Sequence, residues 1–282
     1  MRLLSLIILI AFSANSLHVF AEQSDTQNRD TYTFGVVPQQ SAKKLARLWT
    51  PILDHLSEQS GVKIIFKTAR NIPVFEERLS RGEYDFAYMN PYHYTVFSEK
   101  PGYIALAKQK DKMIQGIVVV RKDSETLSLS ELNGKRLAFP SPAAFAASIL
   151  PQANMEKENI AFDAEYVSSH DSVYMSVARG LFAAGGGVKR TFNNISPDIR
   201  DKLRILWTTP AYTPHAIAFH PRVSSDLQAK LTEALTHMHQ SEEGTAMLKS
   251  INFKSLTVPA KGDWEDVRAL DIKLLSHLLV SG

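Results

Sequence analysis

Apolar positions in the first half of the chain alternate between the spacing of strands and that of helices. Residues 42–60 repeat apolar side chains three and four positions apart, which predicts a helix that ends at Gly61. Short apolar runs on either side of this segment have the length and bounds of strands. The predicted strands are 31–38, 62–68, 85–89 and 103–107, and the predicted helices are 42–60, 74–81 and a segment ending at Glu99.

The second half of the chain repeats this alternation. A dense β-branched run at 116–121 is followed by the polar stretch 122–130, and the chain is expected to cross into a second lobe near this point. The return crossing is expected at 216–219. Further predicted strands are 136–139, 165–168, 181–184 and 203–208, and further predicted helices are 143–150, 172–179 and 225–239.

Strands that alternate with helices predict an α/β fold with a mainly parallel sheet flanked by helices in each lobe. The interruptions in the pattern divide the chain into a first lobe at 22–115, a second lobe at 116–215 and a return segment at 216–282 that completes the first lobe. Helix 225–239 has one apolar face and is expected to pack back on that lobe.

The first 21 residues have the pattern of an export signal. A short positive start precedes the apolar run 3–12, and Val19-Phe20-Ala21 fits a small-residue cleavage site. An uncleaved membrane anchor is the alternative, but the run is about ten residues long and a spanning helix needs about 20. The chain has no cysteine, which excludes a lipoprotein cysteine, disulfides and thiolate metal sites. We therefore expect a signal peptide at 1–21 and a periplasmic mature protein.

Composition gives no sign of an enzyme or of a nucleic-acid-binding protein. The net charge is +3 and the basic residues are scattered, so partners among nucleic acids are not expected. The sequence has no Gly-x-Ser-x-Gly elbow, no His-Glu-x-x-His and no cysteine nucleophile. No catalytic residue, cofactor or metal is therefore predicted, although His170 and His215 across a cleft leave a metal-binding alternative open.

Two strand–helix junctions, one in each half, carry the candidate binding chemistry. In the first, the strand 85–89 runs into Asn90-Pro91, and in the second a strand runs into Ser169-His170-Asp171. The first N–H groups of a helix have no partner within the helix and attract anions and polar ligands. Two such junctions in two lobes predict a small ligand held between the lobes.

Motifs along nearly the whole mature chain resemble the phosphate/phosphite/phosphonate-type substrate-binding proteins of ABC importers. The order and spacing of the motifs are more specific than any one of them. The resemblance implies a two-lobed periplasmic binding protein fold that closes on a small ligand and delivers it to a membrane permease. The motifs are FGVVP at 34–38, LWTPILDHL at 48–56, GEYDFAY at 82–88, LNGKRLAF at 132–139, SHDS at 169–172 and VARG at 177–180.

The chain departs from this family pattern at the positions that would hold the ligand. The family usually has an Asp-Pro-x-Ser-Thr-Ser-Gly turn after the first strand of the second lobe, whereas Ala144, Phe145 and Ala146 stand in place of its three hydroxyl residues. The acidic residue usual near the return crossing is replaced by His215, and none is found at 181–187. Only His170 matches a ligand contact of the family. We therefore expect the fold to carry over and the ligand to differ.

Each candidate also has a structural interpretation. A helix-capping role suits His170, Asp171 and Ser172. Of these, His170 is also a candidate ligand contact. Tyr88, Met89 and Phe145 are equally suited to a hydrophobic core. Tyr92 is equally suited to a helix surface, and His215 to an exposed turn. Gly185–Gly187 leave room for close backbone approach. The candidate ligand-binding residues are Tyr88, Met89, Asn90, Tyr92, Ala144, Phe145, Ala146, His170 and His215.

Two function classes follow from the sequence. The first is the solute-binding protein of an ABC importer, whose partners are a small ligand and the inner-membrane permease. The alternative is a periplasmic sensor component that uses the same closure to signal to a membrane kinase.

Overall fold

The computed structural model describes residues 29–280, so the predicted signal peptide lies outside the described residues. Within that range no helix is both long and apolar enough to cross a bilayer. The strands are β1 (Thr31–Val36), β2 (Lys63–Lys67), β3 (Phe86–Met89), β4 (Ile104–Gln109), β5 (Gly116–Arg121), β6 (Lys135–Phe139), β7 (Phe162–Tyr166), β8 (Ala184–Val188), β9 (Leu203–Thr208), β10 (Ala216–Phe219) and β11 (Leu256–Thr257).

The α-helices of the described chain flank these strands. They are α1 (Ala42–Ser60), α2 (Ile72–Ser80), α3 (Pro91–Phe97), α4 (Leu150–Lys157), α5 (His170–Ala178), α6 (Lys189–Asn194), α7 (Pro197–Arg200), α8 (Ser225–His237), α9 (Glu242–Ser250), α10 (Glu265–Arg268) and α11 (His277–Val280). Shorter helical turns cover Leu129–Leu132, Phe145–Ile149 and Met238–Gln240.

The strands form two separate sheets, one in each lobe. The first has the order β11-β4-β10-β3-β1-β2 and the second the order β7-β6-β8-β5-β9. The predicted α/β fold in two lobes is confirmed. Both sheets are mixed rather than mainly parallel, because β10 runs antiparallel to β3 and β4, and β5 runs antiparallel to β8 and β9. These are the strands with which the chain enters each sheet from the other lobe, which reverses their direction.

Local sequence explains the longest helix well. Ser41 caps α1, its hydroxyl accepting from the Lys44 backbone N–H, and Gly61 ends it with a left-handed φ of 76°, a conformation that glycine adopts without strain. The apolar stripe of α1 is buried on the first sheet, where Trp49 and Phe34 have ring centroids 5.7 Å apart. Helix α8 packs against α1, as its apolar face predicts.

Three predicted elements are displaced. Predicted strand 165–168 begins three residues too late, since β7 covers Phe162–Tyr166. Strand 181–184 is wrong by three residues, since β8 covers Ala184–Val188 and includes three glycines that the pattern favours as a loop. Predicted helix 143–150 begins instead as a π-helical turn that α4 continues. Pro151 accounts for this turn, because it has no N–H to donate and its ring would clash with the carbonyl four residues earlier.

Helix 225–239 is nearly correct, with α8 ending at His237 and a 3₁₀ turn completing the segment. The cap of α5 differs from the expected one: Ser169 is the N-cap, and its hydroxyl accepts from the Ser172 backbone N–H at 3.1 Å. Asp171 is thereby left to make contacts outside its own helix.

Two crossing segments join the lobes. The first runs from β4 to β5 and the second from β9 to β10, and they pair with each other at Ile114 and Tyr212. The Ile114 N–H donates to Tyr212 O at 2.7 Å, and the Tyr212 N–H donates back at 3.0 Å. We call these two crossing segments the hinge. The lobe boundaries at 115/116 and 215/216 remain a prediction.

Candidate functional site

The carboxyl ends of five strands face one another across the cleft between the lobes. In the first lobe β1 and β3 end at this cleft, and in the second lobe β6, β7 and β8 do so. In open α/β sheets, ligands bind in the crevice outside the carboxyl ends of the strands. The loops that follow these five strands therefore define the candidate site.

Gln39, in the loop after β1, joins the first lobe to the second. Its backbone carbonyl accepts from the His170 backbone N–H at 3.0 Å. Its side-chain oxygen accepts from the Arg190 guanidinium, and its side-chain nitrogen lies 3.2 Å from His215 Nε2. Since the amide nitrogen is a donor, His215 Nε2 accepts and the ring proton is carried on Nδ1. One residue thus orients three groups of the site.

His170 opens α5 and is fully enclosed, with 1% of its surface exposed. Its Nδ1 lies 3.0 Å from Thr191 Oγ1, and the Tyr174 hydroxyl lies 2.8 Å from the same oxygen. Its Nε2 is buried and has no hydrogen-bond partner in the described structure. A buried nitrogen without a partner costs free energy of about 1–3 kcal/mol, which a ligand group can recover.

The segment Ala143–Ala147 forms the wall opposite the first lobe. It is buried and belongs to the apolar cluster of the first lobe, although it follows a strand of the second sheet. On its other side the segment lies close to the backbone of its own sheet: a Cβ on Gly186 of β8 would lie 1.8 Å from the Ala147 carbonyl oxygen, and one on Gly116 of β5 would lie 1.8 Å from that of Ala146. Gly186 is one of the three glycines that we expected to provide such room.

Between these groups lies a small cavity, which we call the cleft cavity. Its lining includes Asn90, Ala144, Phe145, Ala146, His170 and His215. Its volume of about 10 Å³ accommodates about one water molecule. The cavity has both lobes in its wall, so a molecule held there contacts both.

A second, larger pocket adjoins the cleft cavity beside the hinge. We call it the hinge-side pocket; it has a volume of about 70 Å³ and shares the lining residues Ile114, Val188 and His215 with the cleft cavity. Tyr88 forms one wall and stacks on His215, with ring centroids 4.9 Å apart. The Arg190 guanidinium lies 5.7 Å from the centre of the Tyr88 ring, within the range of a cation–π contact.

Further polar contacts join the lobes at the rim. The Gln40 side chain donates to Asp171 Oδ1 at 3.3 Å, and Lys44 donates to the Asn194 carbonyl. Asn252 donates to the Asn194 side chain at 2.7 Å. These bonds exist only while the lobes are together, so they contribute directly to the closed arrangement.

Burial and the charge of Arg190 determine the ionisation of the two cleft histidines. Burial, and then the positive charge of Arg190, lower the pKa of His170 to about 3. The same two causes, with smaller contributions from His93 and His170, lower the pKa of His215 well below its usual value. Both rings are neutral near pH 7, and each offers one donor and one acceptor nitrogen.

The structure brings together seven of the nine candidate residues. Six line the cleft cavity, and Tyr88 lines the hinge-side pocket. His215 is 6% exposed, so the alternative of an exposed turn is wrong. Asn90 caps α3 and also donates to the Ala143 carbonyl at 3.1 Å across the cleft.

Met89 and Tyr92 lie apart from this group. Met89 is fully buried and pairs with Ala216 in the sheet. The Tyr92 hydroxyl accepts from the Leu275 backbone N–H at 2.9 Å, so the side chain packs against the C-terminal segment. Neither lines the two cavities, because successive residues of a strand and of the following helix turn point in different directions.

Gln39 and Arg190 are site residues that the sequence pattern does not reveal. Gln39 follows β1 directly, and polar residues at the carboxyl end of a strand are a general signal for such a position. The predicted strand 181–184 ends too early to point to Arg190, because β8 ends at Val188 and the residues that follow it are Lys189 and Arg190. The position after this strand is therefore basic.

Among residues 29–280 no group of three or more histidine or acidic side chains is arranged to hold a metal ion. His170 and His215 are each committed to other partners through one ring nitrogen. The cleft chemistry is that of hydrogen bonding and charge.

Comparison with known proteins places this geometry in a family. Residues 34–264 match the model of the periplasmic substrate-binding proteins of phosphonate ABC transporters. A curated relative, the phosphate-import protein PhnD of Mycolicibacterium smegmatis, is 22% identical over 174 residues, which are 55% of this chain and 54% of the relative. The chain thus aligns with about half the length of that protein.

Two solved structures share the fold. PhnD1 from Prochlorococcus marinus in complex with methylphosphonate is 19% identical, with a TM-score of 0.79 over 87% of this chain and 98% of that one. A binding protein component of an ABC phosphonate transporter from Pseudomonas aeruginosa is 15% identical, with a TM-score of 0.79 over 86% of each chain. These matches confirm the two-lobed periplasmic binding protein fold. The sensor alternative is not tested by them and remains a prediction.

The family model covers most of the chain, from β1 to the residue that precedes α10, and the motifs that carried the resemblance lie within it. The chain therefore belongs to the family of periplasmic substrate-binding proteins of phosphonate ABC transporters.

Proposed function

We propose that the protein captures a small ligand between its two lobes and delivers it to the permease of an ABC importer. The observation that carries this proposal is the buried, unpartnered Nε2 of His170 at a cavity whose walls come from both lobes. A polar atom that is enclosed without a partner is a site for a ligand group. The proposed location is the periplasm, in keeping with the family and with the predicted signal peptide.

Closure couples ligand capture to delivery. Gln39 bonds His170 and Arg190 only when the lobes meet. A ligand shifts the balance between open and closed lobes only through contacts that differ between the two states. A molecule in the cleft cavity gains contacts with both lobes on closure, and the closed form is the one that we propose the permease recognises.

We propose that the ligand differs from a simple phosphonate. Ala144 and Ala146 line the cleft cavity without a hydroxyl, and Phe145 fills volume there. Hydrogen bonds to a charged group contribute about 1.5–3 kcal/mol each, so the loss of three hydroxyl donors removes much of the affinity for a phosphonate. The backbone N–H groups at the start of this helical segment remain available.

A thermal-shift screen tests the proposal. The protein without residues 1–21 is mixed with a panel of oxyanions, phosphonates, amino acids and small organic acids. A ligand at 100 times its dissociation constant stabilises the folded state by about 2.7 kcal/mol. Small-angle X-ray scattering on each hit then reports whether the lobes move together.

His170→Ala and the exposed His239→Ala form a matched pair for any hit. We expect the first to weaken binding about 5- to 150-fold, as the loss of a buried partner predicts, and the second to leave it unchanged. Binding that is equal in both variants, with the fold intact by circular dichroism, would place the ligand outside the cleft and contradict the proposal.

A further inference from the structure

The charges around the two cavities are all of one sign. The hinge-side pocket is lined by Lys112, Lys189 and Arg190, and none of the described residues that line it or the cleft cavity carries a carboxylate. Asp171, an acid at the start of α5, accepts from the Gln40 side chain at the rim. The space between the described lining residues therefore favours an anion and offers no carboxylate to pair with an ammonium group.

Arg190 is the cation that is best placed to bind such an anion. It follows β8 and is half-buried, and within residues 29–280 no carboxylate lies within ion-pair distance of it. Its contacts are a hydrogen bond to the Gln39 side chain and the face of Tyr88 at 5.7 Å. A guanidinium has five donors in a fixed plane, so most of its donors are left for a ligand while these two contacts hold its orientation.

Apart from Gln109, Gln115 and His215, the other residues that line the hinge-side pocket are mostly apolar. Tyr88, Met113, Pro214 and Phe253 line it, and the Tyr88 and Phe253 ring centroids are 6.0 Å apart. Aromatic walls of this kind stabilise an apolar or aromatic ligand by burial and ring contacts. The pocket thus combines one oriented cation with an apolar surface.

We infer that the hinge-side pocket binds a small organic carboxylate with an apolar or aromatic body and no ammonium group, and that Arg190 binds the carboxylate. The inference rests on the proposed function, whose ligand class it names. A planar carboxylate matches the guanidinium in a bidentate arrangement. The adjoining cleft cavity, where Ala144 and Ala146 stand at the family's hydroxyl positions, offers a phosphonate no side-chain hydroxyl donor.

Calorimetry on four compounds of one shape separates charge from shape. The probes are phenylacetate, its neutral amide phenylacetamide, the cation 2-phenylethylamine and the zwitterion phenylalanine. We expect phenylacetate to bind at least tenfold more tightly than each of the others. Equal binding of phenylacetate and phenylacetamide, or tighter binding of the amine or of phenylalanine, would overturn the inference, as would no measurable binding of phenylacetate.

Variants then test whether Arg190 binds the carboxylate. Arg190→Gln is expected to weaken phenylacetate binding about 10- to 100-fold and Arg190→Lys less, whereas Arg179→Gln, at an exposed position outside the pocket, leaves the affinity within twofold. Equal losses in Arg190→Gln and Arg179→Gln would overturn the role of Arg190. The comparison of acid and amide on the wild-type protein needs no variant to fold.

The two proposals fail in different ways. If the thermal-shift panel finds a cationic or neutral ligand that depends on His170, the proposed function stands and this inference is overturned. If no compound of the panel stabilises the protein, the proposed function is contradicted, and the inference that rests on it is contradicted as well.

Discussion

The His170 backbone N–H donates to the Gln39 carbonyl at 3.0 Å, which joins the start of α5 in the second lobe to the loop after β1 in the first. Because both groups belong to the backbone, this bond does not depend on either side chain. The Gln39 side chain adds two further contacts, to Arg190 and His215. Gln39 is therefore a junction through which the closed lobes hold each other and orient the cleft.

Gln39→Leu removes the two side-chain contacts and keeps the backbone bond. We expect the variant to populate a more open form, because a hydrogen bond to a charged group contributes about 1.5–3 kcal/mol. The radius of gyration from small-angle scattering should rise, and affinity for any cleft ligand should fall. Gln59→Leu alters an exposed glutamine of α1 and should change neither; equal scattering from both variants would contradict this role of Gln39.

Acid should destabilise the protein through His170. Its folded-state pKa of about 3 lies below the usual value of 6.5, so the unfolded chain takes up the proton first as the pH falls. The stability that depends on keeping His170 neutral is fully present above about pH 6.5 and is lost progressively between pH 6.5 and pH 3. Between pH 7 and pH 5 this residue should lower the free energy of unfolding by about 2 kcal/mol.

Urea unfolding at both pH values checks this expectation. His170→Gln should reduce the difference between pH 7 and pH 5 by about 2 kcal/mol, whereas His239→Gln, at an exposed position, should leave the difference unchanged. His215 remains to titrate in the same direction, so part of the acid sensitivity is expected to persist. An unaltered pH dependence in His170→Gln would show that the ring is not held neutral.

The sequence predicts those parts of the fold in which local pattern and tertiary environment agree. Helix α1 has an N-cap serine, a regular apolar stripe and a terminal glycine, and its predicted bounds match the structure. Strand β5, a β-branched run, matches as well. At β8 the two signals conflict: the three glycines weaken strand propensity, yet helix starts and Tyr174 pack so closely on the strand that side chains are excluded.

The same conflict limited prediction of the site. Asn90 follows β3, whose predicted bounds are nearly correct, and His170 stands in the Ser-His-Asp sequence of a helix start, so the sequence indicates both. Arg190 follows a strand that is predicted to end four residues too early, so the sequence does not indicate it. The side chain of Gln39 contacts Arg190 and His215, which are 151 and 176 positions away along the chain. Pairings of that kind depend on the closed arrangement of two lobes, which no local pattern specifies.

Gly186 should tolerate no side chain. A Cβ there would lie 1.8 Å from the Ala147 carbonyl oxygen and 2.7 Å from the Phe139 ring, so Gly186→Ala must displace the cleft wall or the strand. Forced repacking of this kind costs about 1–3 kcal/mol or more. Gly61→Ala is the comparison, because it also gives up a glycine but has open space around the added methyl.

Urea unfolding of the two glycine variants separates the effects. Gly61→Ala should cost about 1 kcal/mol from its left-handed backbone, and Gly186→Ala should cost more and also weaken binding of a cleft ligand. A smaller loss of stability in Gly186→Ala than in Gly61→Ala would show that the helix start is not held against β8 as described.

Methylphosphonate should bind the wild-type protein weakly, because the cleft wall lacks the hydroxyl donors that the family usually has. Ala144→Ser combined with Ala146→Ser restores two of them at the cleft cavity. Each charge-assisted hydrogen bond contributes about 1.5–3 kcal/mol, so the double variant should bind methylphosphonate at least tenfold more tightly than wild type. Ala153→Ser, on the exposed face of α4, is the control that adds a hydroxyl elsewhere. Calorimetry decides: submicromolar binding of methylphosphonate by the wild type would refute the altered ligand, and equal affinity in the double variant and the control would show that the missing hydroxyls do not set the affinity.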